Sequence, residues 1–193
     1  MSPIQFFPDG PRTYSESQWK ESNRGLRKLI QLHRPRLGRA QFLAEVIQKQ
    51  LNSIFPLLEE LCRVTCPWCP EPCCIVNKVW IDFQDLLFLH LIGQQIPPGQ
   101  LTCGAGNPCR YLACRGCKLP RIIRPWACTS YVCSTERNYL LNQGSYTQQS
   151  FYTAVEKIKK DRVALEEVFI QTVTRSRKLN STTDKEEVLL ESI

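Results

Sequence analysis

The chain has 193 residues, of which 42% are hydrophobic and 22% charged, and its formal net charge is +7. This length supports one well-cored domain with appendages. The longest apolar run, residues 86–92, is too short to span a bilayer, and the first residues lack the basic and apolar regions of a secretory signal. The composition therefore favours a globular protein of the cytoplasm over a membrane-spanning or secreted one.

Residues 1–61 predict an N-terminal arm followed by a helical scaffold. The arm, residues 1–14, is rich in proline. Ser15 and Gln18 then form a capping-box signature, and the apolar residues that follow recur at helical spacing. The proline at position 35 ends this helix, and a second amphipathic helix follows it.

Residues 62–133 change character, because cysteine, proline and tryptophan replace the helical period. A short helix capped by Asp82 separates two cysteine blocks. Pro125 suits the first turn of a helix that would carry Cys128 and Cys133. We interpret this region as a cysteine-cluster metal-binding domain.

The C-terminal part predicts a helical region over residues 134–179 and a flexible tail over residues 180–193. Apolar residues recur at helical spacing in the first of these segments, whereas the second opens with a polar run. The fold class that we predict is mainly α, with a small irregular cysteine-rich core packed against long N- and C-terminal helices.

The 11 cysteines of this chain indicate metal binding. Disulfides rarely persist in a reducing compartment, and an odd count fits a closed disulfide framework poorly. A two-residue spacer between cysteines lets both sulfurs face one ion, with backbone amides free to bond to the thiolates. The cysteines that share such ligand spacing are predicted metal ligands: Cys66, Cys69, Cys73, Cys74, Cys109, Cys117, Cys128 and Cys133.

The adjacent cysteines Cys73 and Cys74 suggest more than one metal position. Neighbouring side chains of extended backbone point to opposite faces, so such a pair is awkward for one tetrahedral ion. Each sulfur would more naturally serve a different metal, or a different atom of a cluster. Outside the ligand spacing, we interpret three cysteines as small buried hydrophobes: Cys62, Cys103 and Cys114.

Other residues near the cysteines are assigned supporting roles, and no catalytic residue is predicted. Arg124 is expected to offset the negative charge of the thiolates. Asp82 and Asp85 are expected to cap a helix. The tryptophans nearest the cysteine blocks are expected to shield the sulfurs from water: Trp68, Trp80 and Trp126.

An ordered set of features resembles the YkgJ-type cysteine-cluster family, the zinc- or iron-chelating proteins named for a CxxCxxCC motif. The first block reads Cys66-x2-Cys69-x3-Cys73-Cys74, and it precedes Trp80-Ile-Asp-Phe-Gln-Asp85. The second reads Cys109-x2-Leu112, Gly116-Cys117, Arg124-Pro125-x2-Cys128 and Tyr131-x-Cys133. One departure is the spacer of three residues, where the motif has two, before Cys73. The resemblance covers about a third of the chain and implies chelation of zinc or iron, the latter also as an iron–sulfur cluster.

A rival hypothesis is an iron–sulfur enzyme of methyltransferase or radical S-adenosylmethionine type. Cys62-x3-Cys66-x2-Cys69 has the spacing of the cluster-binding triad of radical enzymes. Three thiolates leave one iron open for a cofactor, so this spacing has a chemical purpose. The chain after Cys69 is short for a barrel, however, and it holds no glycine-rich cofactor segment.

The expected partner is a metal ion, zinc or iron, bound through two cysteine blocks in a non-catalytic or redox role. Both ions accept four thiolates in tetrahedral geometry, so the residues leave the choice open. No basic helix sits directly on the cysteine blocks, which argues against a nucleic-acid-binding zinc module. The residues indicate no membrane contact, and they name no protein partner.

Overall fold

The computed structural model describes residues 15–69, 73–76, 79–101, 108–114 and 116–190. In this part of the chain the fold is mainly α, as predicted, with long helices on either side of the cysteine-rich region. The helices and strands in chain order are α1 (Glu16–His33), α2 (Gly38–Thr65), α3 (Cys73–Val76), α4 (Phe83–Leu91), β1 (Leu112–Ala113), β2 (Gly116–Cys117), α5 (Trp126–Ser130), α6 (Ser134–Asn142) and α7 (Ser145–Leu190).

The N-terminal scaffold forms as its sequence indicates. Ser15 caps α1, because its side chain accepts the backbone N–H of Gln18 while the Gln18 side chain accepts the N–H of Ser15. A 3-10 turn over Arg34–Arg36 then separates α1 from α2. Helix α2 continues to Thr65, past the predicted boundary at residue 62, so Cys62 lies on a helix.

The hydrophobic core lies mainly between α2 and α7, whose apolar stripes pack along each other. Ile47 and Leu61 of α2 and Ile158, Leu165 and Phe169 of α7 are all buried. Burying one such side chain contributes roughly 1.5–3 kcal/mol, so this pairing is the main support of the scaffold. None of the helices in the described ranges has both the length and the apolar character that crossing a bilayer requires.

A buried ion pair ties α4, α5 and α7 together. Asp82 and Asp85 form a capping box at the start of α4, which confirms their predicted role. Asp85 does more than cap, since its Oδ1 lies 2.9 Å from Arg162 Nη2 on α7 and accepts the N–H of Trp126 at 2.9 Å. The Arg162 guanidinium also lies over the Trp126 ring, 5.6 Å from its centroid.

The cysteine-rich region contains short elements, and two details differ from prediction. Cys128 lies on α5 as expected, but α5 ends at Ser130 and Cys133 instead caps the next helix, α6. Cys73 and Cys74 lie on the single helical turn of α3, whereas the prediction assumed extended backbone. A third difference lies outside the cysteine-rich region. Helix α7 extends to Leu190, beyond the end near residue 179 that the sequence favoured. The proposed domain boundaries stay predictions.

Candidate metal centre

Two cysteines and one glutamate form a group that could hold a metal ion. The Sγ atoms of Cys62 and Cys66 and a carboxylate oxygen of Glu136 all lie within 4.8 Å of one another. We call these three residues the outer group. Two of them come from the C-terminal end of α2 and the third from α6, so the group joins segments that are distant along the chain.

The α2 helix places Cys62 and Cys66 on the same face. Residues four apart on a helix lie one turn above the other, and Cys66 is the C-terminal cap of α2. Sulfur contact between the two, together with the nearby Arg121 guanidinium, lowers the pKa of Cys62 to about 6 against the cost of burial. The same contact raises the pKa of Cys66. Its S–H donates a hydrogen bond to the Cys62 thiolate, and that bond holds the proton on Cys66.

Arg121 is a buried cation beside the outer group. Its Nη2 donates to Cys62 Sγ at 2.9 Å and to the backbone carbonyl of Leu58. Arg121 belongs to a 3-10 turn, Arg121–Ile123, that packs against α2. A guanidinium at this distance favours the thiolate form of Cys62, which is the form that binds metals.

Glu136 is held in place by the cap of α6. The N–H of Cys133 donates to Glu136 Oε2 at 3.0 Å, while the N–H of Glu136 donates to Cys133 Sγ at 3.4 Å. This orients Oε1 to within 3.6 Å of Cys62 Sγ. The side chain is only 7% exposed, and no lysine or arginine of the described residues lies within 4.0 Å of its carboxylate. A buried carboxylate without a cationic partner is costly, so a bound cation would relieve it.

The outer group fits a divalent zinc or iron ion chemically. Thiolate sulfur and carboxylate oxygen are both accepted ligands of zinc, and three protein ligands leave a fourth position of a tetrahedral ion open. Two thiolates and one carboxylate carry three negative charges, so a divalent ion would leave one. Arg121 would offset that remaining charge.

Four other cysteines share a more apolar environment, in contact with the hydrophobic core. We call them the inner group: Cys74, Cys109, Cys117 and Cys128. Cys109 is 9% exposed, and the other three are half-buried and pack against the same core. The other described cysteines do not pack against this hydrophobic core.

Backbone hydrogen bonds bring the two cysteine blocks of the inner group together. The N–H of Cys109 donates to the carbonyl of Cys74 at 2.8 Å, which joins the first block to the second. The N–H of Leu112 donates to the carbonyl of Cys109 at 3.0 Å, and Leu112 pairs with Cys117 across the β1–β2 ribbon. Burial, with the negative charges of Cys117, Cys109 and Cys73 nearby, raises the pKa of Cys128 to about 12.

Cys73 and Cys74 face different surroundings although they are adjacent. A hydrogen bond between their sulfurs raises the pKa of Cys73 and lowers that of Cys74. Beyond that mutual contact and burial, the pKa of Cys73 is raised by the negative charges of Glu136 and Cys62, while Cys73 itself acts on Cys128 of the inner group. Cys74 is influenced by those of Cys128, Cys109 and Cys117. The adjacent pair therefore lies at the border between the outer and inner groups.

The remaining predicted ligands lie beside these groups without belonging to either. Cys69 follows a 3-10 turn, and its N–H donates to the carbonyl of Cys66 at 3.3 Å. Cys73 lies on α3, and Cys133 caps α6 with its sulfur. Burial raises the pKa of Cys133. The structure thus brings Cys66 into the outer group. It places four of the predicted ligands against the hydrophobic core, but no three of their sulfurs lie within 4.8 Å of one another.

Two predicted roles for the lone cysteines are wrong. Cys62 is not simply a small buried hydrophobe, because its sulfur contacts Arg121 and lies in the outer group. Cys114 is exposed, since it lies at the tip of the β1–β2 ribbon. The prediction for Cys103 lies outside the described residues.

Two supporting roles also differ from prediction. Trp68 is 84% exposed, so it does not shield the sulfurs from water, whereas Trp80 and Trp126 are partly buried. Arg124 donates to the backbone carbonyls of Leu119 and Cys117, at 2.9 and 3.5 Å. Arg121, three residues earlier, contacts a sulfur instead, that of Cys62.

The roles of Glu136 and Cys62 were not predicted, although each residue carries a local signal in the sequence. Cys133-x2-Glu136 has the form of a capping box in which cysteine replaces serine or threonine. Cys62-x3-Cys66 has the spacing that puts two side chains on one face of a helix. Neither signal shows that the two segments meet.

No protein-family model, curated protein or solved structure matched this chain when it was compared with each. The resemblance to the YkgJ-type family, carried by the cysteine spacing, stays a prediction.

Proposed function

We propose that this protein binds zinc or iron, and that Cys62, Cys66 and Glu136 supply ligands to the metal. The observation that carries the proposal is the convergence of three donor atoms within 4.8 Å, from helices that are far apart in sequence. The burial of Glu136 without a cationic side chain within 4.0 Å, among the described residues, supports the same conclusion. The YkgJ-type spacing, which implies zinc or iron chelation, agrees with it.

The proposed role is non-catalytic or redox metal binding in the cytoplasm, with the metal ion as the partner. Zinc in such a site would be structural or exchangeable, whereas iron, alone or as an iron–sulfur cluster, would allow electron transfer. The open coordination position of a three-ligand site suits an exchangeable ion.

The iron–sulfur enzyme remains the second candidate, because Cys62 and Cys66 of the radical-type triad do lie together. Cys69, the third member, is not part of the outer group. In the described part of the chain the only sheet is the two-stranded antiparallel ribbon β1–β2, whereas a radical enzyme would need a barrel of parallel strands. These two observations favour metal binding over radical chemistry.

The test compares the full-length protein with Cys62→Ser and Glu136→Gln, all purified anaerobically. Glutamine keeps the size of Glu136 and an oxygen that accepts the Cys133 N–H, but it is a poor metal ligand. We expect each variant to lose the metal of the outer group in elemental analysis, with unchanged helicity by circular dichroism. Cys114→Ser is the matched control, since Cys114 is exposed and lies outside both groups.

Full retention of metal by both variants would contradict the proposed site. A visible spectrum recorded on the same samples distinguishes the two functions. A colourless metal-loaded protein indicates zinc. A brown protein whose colour is lost in Cys62→Ser but kept in Cys128→Ser would favour the iron–sulfur enzyme.

A further inference from the structure

We propose that this protein binds one monoatomic anion, a halide such as chloride, in an internal cavity lined by Arg121 and Arg162. The site is separate from the candidate metal centre, because the described residues that line the cavity include no cysteine and not Glu136. The inference goes beyond the proposed metal-binding function and does not depend on it.

The cavity lies among α2, α4, α5 and α7, next to the 3-10 turn that carries Arg121. Its wall combines apolar side chains of α2 and α4 with four charged ones: Arg121, Arg124, Arg162 and Asp85. It leaves about 10 Å³ for the centre of a water-sized particle, which is room for one such particle. The cavity therefore suits a single atom-sized occupant and excludes sulfate, phosphate or an organic anion.

Two of the arginines that line the cavity each have a buried N–H without an acceptor among the described residues. These are the Nε atoms of Arg121, which is 8% exposed, and Arg162, which is 3% exposed. The other end of each side chain is already held, since Arg121 Nη2 donates to Cys62 Sγ and Arg162 Nη2 lies 2.9 Å from Asp85 Oδ1. A buried donor without an acceptor is costly, and more so on a charged group. Two such donors on side chains that share a cavity indicate a bound acceptor.

The charge of the wall favours an anion over a water molecule as that acceptor. Arginine is always protonated, so the described wall carries three positive charges against the single carboxylate of Asp85, an excess of two. Asp82 and Cys62 also contact the buried arginines, but only at Nη2, and they do not line the cavity. Excess charge among apolar side chains is unfavourable, and one halide would offset half of it.

A halide at this position would have a structural role. It would accept hydrogen bonds from Arg121, whose 3-10 turn packs against α2, and from Arg162 of α7. Arg124 would supply charge without a hydrogen bond from its Nε, because that atom already donates to the carbonyl of Leu119. The anion would thus join the turn whose arginine contacts the outer group to the longest helix of the fold.

The test measures urea unfolding of the full-length protein in sodium chloride and in sodium gluconate at equal ionic strength. Arg162→Lys keeps a cation that can pair with Asp85 but removes the Nε–H. Arg63→Lys makes the same change at an exposed ion pair with Glu60 and is the matched control. A hundredfold excess of chloride over its Kd should raise the folding equilibrium constant of wild type and Arg63→Lys about a hundredfold. Arg162→Lys should lose most of this response, whereas general salt effects act on all three proteins alike.

Glu136→Gln separates the internal site from the candidate metal centre, where a halide could occupy the open coordination position. We expect this variant to keep the full chloride response. A response that is lost in Glu136→Gln and kept in Arg162→Lys would place the halide on the metal and would overturn the internal site, while the metal-binding function would stand. If Glu136→Gln keeps its metal, a response that is lost only in Arg162→Lys supports the internal site although the outer site fails.

A second measurement needs no variant, so it decides the question even if Arg162→Lys does not fold. Wild-type crystals are grown in sodium bromide, and anomalous diffraction is recorded at the bromine edge. We expect one anomalous peak within hydrogen-bond distance of the Nε atoms of Arg121 and Arg162. Density without an anomalous signal at this position would mean that water satisfies the two donors, and equal unfolding midpoints in chloride and gluconate would mean that no halide binds. Either result would overturn the proposal.

Discussion

The outer and inner groups use the same sulfur chemistry in opposite surroundings. The outer group includes an exposed cysteine, a carboxylate and a neighbouring guanidinium, so charge and water are close to its sulfurs. The inner group packs against the hydrophobic core and is held by main-chain hydrogen bonds. Cysteine spacing therefore identifies candidate ligands, whereas burial and charged neighbours determine what kind of site each ligand can serve. Four predictions test this contrast, beginning with the largest effect.

Complete removal of metal should unfold the inner region while the long helices persist. Metal–thiolate bonds of structural zinc sites contribute about 10–16 kcal/mol of apparent free energy, and short elements such as α5 and β1–β2 bury too little to replace it. The α2–α7 pairing has its own hydrophobic core. After chelation we expect most helicity to remain by circular dichroism. Proteolysis should cut within residues 108–133 first.

The opposite proteolytic pattern would contradict the prediction that the inner region depends on metal while the long helices do not. If cuts fell within residues 145–175 while residues 108–133 stayed protected, the inner region would be stable through packing alone.

Asp85→Ala should destabilise the protein by about 3–5 kcal/mol, the usual cost of leaving one member of a buried ion pair unpaired. Arg162 would lose its nearest partner, and the N–H of Trp126 would lose its acceptor at the start of α5. Because α5 carries Cys128, the loss should disturb the inner group more than the outer group. The measurement is urea unfolding combined with elemental analysis.

Asp82→Ala is the control for Asp85→Ala. Asp82 caps the same helix but is more exposed, and its contact with Arg162 is longer, at 3.3 Å. We expect a cost of about 1 kcal/mol, the usual loss of an N-cap, with little change in metal content. Equal effects of the two substitutions would show that Asp85 acts only as a cap.

Arg121→Met should weaken metal binding at the outer group about 10- to 100-fold, the range for loss of a partner that orients a metal ligand. Its guanidinium contacts Cys62 and would offset the remaining negative charge of the loaded site. Arg124→Met is the matched control, because Arg124 donates to the carbonyls of Leu119 and Cys117, near the inner group, and its loss should leave outer-site affinity unchanged. Competition with a coloured chelator measures both affinities. Equal losses in the two variants would contradict a specific role for Arg121.

His90→Gln should make the scaffold less sensitive to acid, with the smallest effect of the four. Burial and the positive charge of Arg27 lower the pKa of His90 to about 4, from about 6.5 in an unfolded chain. Between these values the unfolded state binds the extra proton, so stability falls as pH falls from about 6.5 to about 4. Glutamine stays neutral and can still donate to Asn23, which lies 3.1 Å from His90 Nε2.

The His90 comparison separates acid unfolding of the scaffold from acid release of metal. Urea midpoints of wild type and His90→Gln should converge above about pH 7 and diverge below it, whereas metal release should follow the same curve in both. Identical midpoints at pH 5 would mean that His90 is accessible to protons in the folded state.

The long helices and the candidate ligands could be predicted because their signals are local. The capping box at Ser15 and the apolar stripes of α2 and α7 each depend on residues a turn or two apart. The roles of Cys62 and Glu136 could not be predicted, because they depend on the end of α2 meeting the start of α6. The choice between Arg121 and Arg124 depends on the direction of a single 3-10 turn.

The exposure of Trp68 shows a further limit of reading sequence. An aromatic residue next to cysteines suggests a shield, but a 3-10 turn carries this side chain outward, and it is 84% exposed. The division of the cysteines into two groups was likewise beyond local reasoning, since it depends on which sulfurs reach the hydrophobic core.

The Asp85–Arg162 ion pair has a consequence for how the chain matures during synthesis. The ribosome releases Cys128 well before Arg162, so the last inner cysteine emerges before the residue that anchors its helix. Any metal captured by the nascent cysteines would at first be held in a site whose α5 segment lacks its α7 partner. We expect metal to remain exchangeable on the growing chain and to become retained only after α7 has folded back. Metal supply during translation would then set how much of the protein reaches its stable form.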